Sequence, residues 1–344
     1  MMNEAEATQG KAGTTVTADV DASTLRAADQ AGFARLTEPH RRALRAFCYR
    51  MLGSFADAED VVQETLLRAW RGRDTFAGRA SLRAWLHGIA THACLDFLAK
   101  NPRPALPEAA ETPARSPAEL AWLQPFPDQM LDPAAAGSPE SRAVARESIG
   151  LAFMIAVQVL PARQRAALIL CDVLDWSAKE AGELLELTVP AVNSALQRAR
   201  ATLRASQPAR TEWRPGSDPD EQQRVLLERY VTATERGDVA GLAALLSEDV
   251  RFTMPPTPGT WDGRDNVVGG WVEGGFGTEA FSFRCLLTRA NGTVAVANYL
   301  RKPGESRHRA MALDVLTFEN GLVKEITTFA LEGLVEAFGL PPEL

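Results

Sequence analysis

Apolar residues recur at helical spacing through the first two thirds of the chain and at strand spacing in most of the last third. Between Phe33 and Lys100, Leu44, Phe47, Cys48 and Met51 fall at i, i+3, i+4 and i+7, and Ala58, Val61, Val62, Thr65, Leu66 and Ala69 repeat the stripe. Gly53-Ser54 separates those helices, and Gly72 and Gly78 bracket a loop before a third helix from about Ser81 to Ala99. Residues 1–28 lack this periodicity and are expected to form a disordered tail, leaving a first helical body at 29–100. Residues 101–139 hold nine of the chain's 21 prolines, which no continuous helix or central strand tolerates. The stretch 101–140 therefore reads as a linker, with one anchored turn at Leu120–Leu123. A second helical body follows at 141–206, a polar joint at 207–220 and a third domain at 221–344.

In that third domain Val225, Leu226 and Tyr230, then Leu242, Leu245 and Leu246, pattern as an amphipathic helix pair. Strand-like runs follow at Ala280–Arg289, Thr293–Leu300, Arg307–Phe318 and Val323–Phe329. Asn291-Gly292 and Asn320-Gly321 predict tight hairpins, because both residue types accept positive φ. The predicted fold class is multidomain: two all-α bodies, then an α+β domain whose curved antiparallel sheet packs on helices.

The sharpest local pattern is a helix-turn-helix over Trp176–Arg204. Ser177 with Glu180 forms a capping-box sequence, and Ala181, Leu184 and Leu185 supply the buried face of the first helix. Glu186-Leu187-Thr188 makes the turn, with Thr188 and Pro190 suited to the cap and first turn of the second helix. There Val192, Ala195, Leu196, Ala199 and Leu203 line one side and leave Asn193, Ser194, Gln197, Arg198 and Arg204 outside. A helix entering the major groove needs short polar groups near its N-terminus for base edges and arginines further along for phosphates. An ordinary αα-hairpin with solubilising arginines would show part of the same pattern.

Composition narrows the class. The chain has 344 residues, 46% apolar and 24% charged, as expected for soluble globular domains, and no apolar run approaches a membrane span. Its acidic, polar N-terminus is unlike a signal peptide, so the expected location is the cytoplasm. Cys48, Cys94, Cys171 and Cys285 form no C-x-x-C pair, so neither a disulfide framework, a metal site nor a cofactor is expected. The net charge of -7 hides segregation: residues 33–100 carry 11 Lys/Arg against 7 Asp/Glu, and 188–210 carry four arginines and no acid. Residues 221–344 carry 17 acids against 12 bases. Two segments suit a polyanion and the remainder repels one.

Two stretches carry a family resemblance. Asp57-Ala-Glu-Asp-Val-Val-Gln-Glu-Thr-Leu-Leu-Arg-Ala-Trp70 with Ala80-Ser-Leu-Arg-Ala-Trp-Leu-His-Gly-Ile-Ala-Thr91 resembles region 2 of extracytoplasmic-function (ECF) sigma factors. Leu160-Pro-Ala-Arg-Gln-Arg-Ala-Ala-Leu-Ile-Leu170, continuing to Leu196-Gln-Arg-Ala-Arg200, resembles region 4 of the same family. The resemblance implies core RNA polymerase and promoter DNA as partners, with no membrane. It assigns Asp60, Gln63, Glu64, Leu67 and Arg68, all off the buried stripe, to the polymerase. Arg79, Ser81, Arg83, His87 and His92 are the candidates for the melted downstream element, with Trp85 read as core. Pro190, Asn193, Ser194 and Gln197 would read the upstream element, while Lys179, Arg198, Arg200 and Arg204 hold phosphates. An ion pair is the alternative role for Arg200.

The chain departs from the family pattern at His87, Gly88 and His92, which stand for tyrosine, arginine and asparagine. Losing the arginine implies a weaker phosphate grip and a narrower or weaker promoter preference. Gly88 also costs about 1 kcal/mol relative to alanine inside a helix.

Val250-Arg-Phe-Thr-Met-Pro-Pro and Trp261-Asp-Gly-Arg-Asp resemble the SnoaL-like, NTF2-type domain fused to some ECF sigma factors. Phe252, Met254, Trp261, Trp271 and Phe276 are candidate pocket-lining residues, with Asp314 as the carboxylate of interest within an apolar strand. Asp262, Asp265 and Glu273 are the other possible acid/base groups, Asp262 and Asp265 reading as surface or turn-capping acids in a glycine-rich loop and His308 as solvated, so no complete catalytic set assembles. The preferred expectation is a regulatory domain, docked near the helical bodies or their linker by its negative charge and answering to a small ligand or a regulatory protein. The alternatives are a fused isomerase or cyclase using the sigma blocks for targeting, and a helix-turn-helix repressor.

Overall fold

The computed structural model of the chain describes residues 21–104, 117–131, 148–206 and 221–344. The first body comprises α1 (Ala22–Ala27), α2 (Gln30–Leu52), α3 (Phe55–Arg71) and α4 (Leu82–Lys100). Gly53, at φ 74, ends α2 in the left-handed region, and Ser54 then caps α3 by accepting from the Asp57 amide at 3.2 Å. The tail expected over 1–28 is corrected by α1, although residues 1–20 lie outside the described residues. Asp21 caps this helix through the Thr24 amide (2.7 Å), Leu25 is fully buried, and Arg26 donates to the Phe76 carbonyl at 3.0 Å. Docking through one apolar residue holds a turn and a half that has no room for a periodic pattern.

The second body contains α5 (Leu151–Gln158), α6 (Ala162–Leu168) running into a wide turn at Ile169–Val173, α7 (Ala178–Leu185) and α8 (Val189–Ser206). Both arms of the capping box are made: the Glu180 amide donates to Ser177 Oγ (3.2 Å) and the Ser177 amide to Glu180 Oε2 (2.9 Å). Glu186 takes φ 56 at the end of α7. Gly182 lets the turn close, since a Cβ there would stand 2.7 Å from the Leu187 carbonyl oxygen. The expected start of this body at 141–147 lies outside the described residues.

The third domain opens with α9 (Glu221–Arg236) and α10 (Val239–Ala243). Six strands follow: β1 (Leu246–Met254), β2 (Thr257–Asp262), β3 (Ser282–Ala290), β4 (Thr293–Arg301), β5 (Arg309–Glu319) and β6 (Leu322–Ala330), with α11 (Arg264–Glu273) between β2 and β3. The sheet order is β2-β1-β6-β5-β4-β3, and β1 pairs parallel to β6. The expectation of an antiparallel sheet is therefore corrected at one seam. β1 and β2 were hidden by charges and prolines, and Leu246 opens a strand where a helix was expected. Asp265 belongs to α11 instead of a loop. The glycines that argued against that helix include Gly270, whose bare Cα faces Trp261 with room for little else (a Cβ would be 3.3 Å from Nε1). Both predicted hairpins form, with φ 53 and 76 at Asn291-Gly292 and φ 51 and 71 at Asn320-Gly321.

The three bodies meet around the linker. Leu120 and Leu123 are buried, with the Leu123 amide donating to the Leu120 carbonyl at 2.8 Å, so the anchored turn forms as expected. Gln124 Oε1 accepts from the Ala56 amide (2.9 Å) and Ser54 Oγ (3.1 Å), and Phe126 packs on Tyr49 and Phe55. Into this junction the tip of the β3–β4 hairpin inserts Asn291, which has no exposed surface. Its Oδ1 accepts from the Phe126 amide (2.9 Å), and its Nδ2 donates to Tyr49 Oη (2.8 Å) and the Ile149 carbonyl (2.7 Å). Its amide donates to the Phe126 carbonyl at 2.9 Å. One side chain thus joins the first body, the linker, the approach to the second body and the sheet domain.

The domain reaches the linker, one of the expected places, but at this contact negative charge does not hold it there. The ion pair beside Asn291 runs the other way, from Arg289 of the acidic domain to Asp128 of the linker (3.2 Å). Neutral hydrogen bonds and aromatic packing occupy the centre. Asn291→Ala strands the Phe126 amide and the Ile149 carbonyl, so it is expected to cost roughly 2–4 kcal/mol and to raise hydrogen exchange at 120–130. Denaturant titration and exchange mass spectrometry check this, and wild-type protection there should persist in 0.5 M salt, ~0.5 M being enough to screen surface charge strongly.

Candidate nucleic-acid interface

On α8 the packing of Val192, Ala195, Leu196 and Ala199 into the core turns the opposite face to solvent. Pro190, Asn193, Ser194, Gln197, Arg198, Arg200 and Arg204 are all exposed there, and Thr188 Oγ1 accepts from the Ala191 amide at the helix start (3.3 Å). Lys179 is exposed on α7. Arg200 is held in a two-pronged ion pair with Asp172 in the wide turn before α7 (2.9 and 2.7 Å), which raises its pKa further and leaves Arg198 and Arg204 as the better phosphate donors.

The structure divides the downstream-element candidates. Arg79, Ser81, Arg83 and His92 are exposed, with Ser81 capping α4 through the Ala84 amide (3.2 Å) and His92 Nδ1 lying 2.9 Å from the Gly88 carbonyl oxygen. Arg79 and Ser81 line an open cleft of about 460 Å3 with Asp21, Ala22 and Ala77–Ala80, a feature sequence patterning could not show because α1 supplies one wall. His87 is corrected. It is 1% exposed, edge-on to Phe47, with Nδ1 2.8 Å from the Arg83 carbonyl oxygen, and it belongs to the side of α4 facing α2. Burial, aided by the positive charge of Arg83, pushes its pKa down to about 4. Trp85 packs on Phe76, with ring centroids 5.2 Å apart, in keeping with its reading as core.

The solvent side of α3 exposes Asp60 and Gln63 around Leu67, whose exposure of 50% is unusual for leucine. Arg68 donates to Glu64 and Asp96 (both 2.7 Å), fixing one edge of this surface.

In the sheet domain Phe252, Trp261, Trp271 and Phe276 form a chain of half-buried rings, with centroid separations of 5.4, 5.7 and 6.3 Å, which Phe283 extends. Met254 stands apart and exposed. Asp314 is buried and its pKa raised by desolvation. Its Oδ1 accepts from Thr328 (2.6 Å) and its Oδ2 from Asn298 (2.6 Å) and Tyr230 (3.1 Å), so both oxygens are engaged by the fold. Among the described residues no cluster could hold a metal ion, and no helix is long and apolar enough to cross a membrane.

These four surfaces, three on the helical bodies (α3, α4 and α8) and one on the sheet domain, belong to a multidomain architecture with a helix-turn-helix. Family models match as Sigma-70 region 2 over residues 36–103, Sigma-70 region 4 over 151–203 and a SnoaL-like domain over 227–326. The chain is 40% identical over 319 residues to the ECF RNA polymerase sigma factor SigG of Mycobacterium tuberculosis, covering 91% of this chain and 85% of that protein. It is 31% identical over 297 residues to SigJ of the same organism, covering 83% and 88%. The crystal structure of SigJ superposes with a TM-score of 0.54 at 26% identity, covering 86% of this chain and 96% of that one. The chain belongs to the ECF sigma factors.

Two measurements follow from the geometry. Arg198→Ala and Arg204→Ala should each reduce the slope of log affinity against log salt by about 1, with Arg200→Ala giving less because Asp172 already neutralises it. The unfolded chain protonates His87 near 6.5 while the folded one resists to about 4, so stability falls as pH drops through that window. Denaturant midpoints should show a loss of about 2 kcal/mol between pH 7 and pH 5 that His87→Phe removes.

Proposed function

We propose that this sigma factor uses the three surfaces of its helical bodies on three targets. The α3 strip of Asp60, Gln63, Glu64, Leu67 and Arg68 meets core RNA polymerase, an exposed apolar side chain ringed by polar ones being the composition of a small docking surface. Arg79, Ser81, Arg83 and His92 hold the opened downstream element, and the cleft beside Ser81 suits an unstacked base. Pro190, Asn193, Ser194 and Gln197 read the upstream element, while Lys179, Arg198 and Arg204 grip phosphates. Arg200 joins them only by releasing Asp172. The observation that carries this reading is the order of exposed side chains along α8, short and polar first, basic afterwards.

The sheet domain is regulatory and not an enzyme. It clasps the linker and both helical bodies through Asn291, and Asp314 spends its lone pairs on Thr328, Asn298 and Tyr230. A small ligand at the aromatic chain, or a protein partner, would act by differing in affinity for the clasped and released arrangements. The site of action is the cytoplasm, where polymerase and promoter meet.

Reconstitution with core polymerase, followed by promoter selection from random DNA with and without residues 208–344, tests both parts. Specific initiation by the full chain and altered output on truncation are expected. No initiation at any template defeats the first part, and unchanged output and core affinity defeat the second.

A further inference from the structure

The second body lies against the first. Arg165, buried in α6, donates to the Met51 carbonyl at the end of α2 and to Gln158 Oε1 (2.6 Å). Gln158 donates in turn to the Arg50 carbonyl at 3.1 Å, and Arg50 Nε to Ser148 Oγ at 3.0 Å. The same packing sets α6 against α4 and brings the Leu184 side chain of α7 to Gly88. At Gly88 a Cβ would stand 3.3 Å from Leu184 Cδ1, the atom that fills the space a side chain would take.

Gly88 shares its face of α4 with Ser81, one turn pair before it, and His92, one turn after it. That is the face to which the proposed function assigns the melted strand. Leu184 and a strand of DNA compete for the same turn of helix. A side chain at 88 would have to push the Leu184 side chain aside, while a bare Cα admits it.

We propose that Gly88 is a socket for Leu184, and that seating of α7 in it is an autoinhibitory contact that must open before α4 engages the melted promoter. The glycine is then a determinant of closure, and the missing arginine is the condition for it. This rests on the assignment of the downstream element to α4. Closure in the free protein is measured separately, so that the failure of either is recognisable.

The test compares full-length wild type with Gly88→Arg, Gly88→Met and Leu184→Ala. Hydrogen exchange of the free protein reports closure across 84–92 and 178–187, and permanganate reactivity with core polymerase reports strand opening on a selected promoter. Methionine cannot bind a phosphate, and Leu184→Ala leaves α4 and its helix propensity untouched. All three variants should exchange faster in both segments, with α3 unchanged, and should open the promoter about fivefold more at limiting sigma factor, the low end of coupling between sites. A gain confined to Gly88→Arg would overturn the proposal in favour of a phosphate contact. Faster exchange without greater opening would show that closure does not inhibit, and unchanged exchange in Gly88→Met and Leu184→Ala would show that no socket exists. If wild type opens no promoter but exchange responds as expected, the assignment of α4 to DNA fails while the interdomain contact stands.

Discussion

A single buried amide, that of Asn291, sits where every body of this protein comes together. An asparagine with no exposed surface is costly unless each of its polar atoms finds a partner, and here its amide, Oδ1 and Nδ2 all do. The partners come from residues 49, 126 and 149, so the desolvation cost is offset only when all three segments are in place. That makes the contact conditional in a way an apolar plug would not be. Apolar surfaces tolerate slippage, whereas an amide with fixed donor and acceptor directions accepts one arrangement.

The same residue is also required locally. Position 291 opens a two-residue hairpin at φ 53, a conformation asparagine adopts with less strain than most side chains. The turn chemistry and the interdomain contact therefore select the same amino acid for unrelated reasons. The docking does not follow net charge. The acidic domain presents Arg289 to the linker's Asp128, and the aromatic packing of Phe126 against Tyr49 and Phe55 fills the space beside it. Segregated charge along the sequence marks the surfaces proposed to meet DNA, and it leaves this internal joint to polarity and shape.

The two surfaces proposed for nucleic acid differ in how open they are. The face of α8 holds its short polar groups, Arg198 and Arg204 in solvent, whereas Leu184 of the second body stands against α4 at Gly88. Ion pairing adds a finer grade, since Arg200 is committed to Asp172 while its neighbour Arg198 is not.

Periodicity located α2, α3, α4 and the helix-turn-helix with the exposed strips of α3 and α8, and cap and turn residues located the capping box at Ser177–Glu180 and the hairpins, because each depends on residues within a few positions of one another. Three other things needed the folded chain. Charges in β1, a proline and a glycine in β2 and the Pro255-Pro256 pair between them suppress a strand signal, and only the pairing of β1 with β6 and with β2 makes them strands. His87 looked like a DNA ligand by position in a motif, but the rotation of α4 against Phe47 buries it. Asn291 and Gly88 are ordinary turn and helix residues until distant segments arrive, the one to satisfy an amide and the other to fill a missing side chain. Local hydrogen bonds and apolar spacing are written within a few residues of each other, whereas the value of a buried polar group or an empty Cα depends on which surface lies opposite, and that is settled only by how the bodies pack.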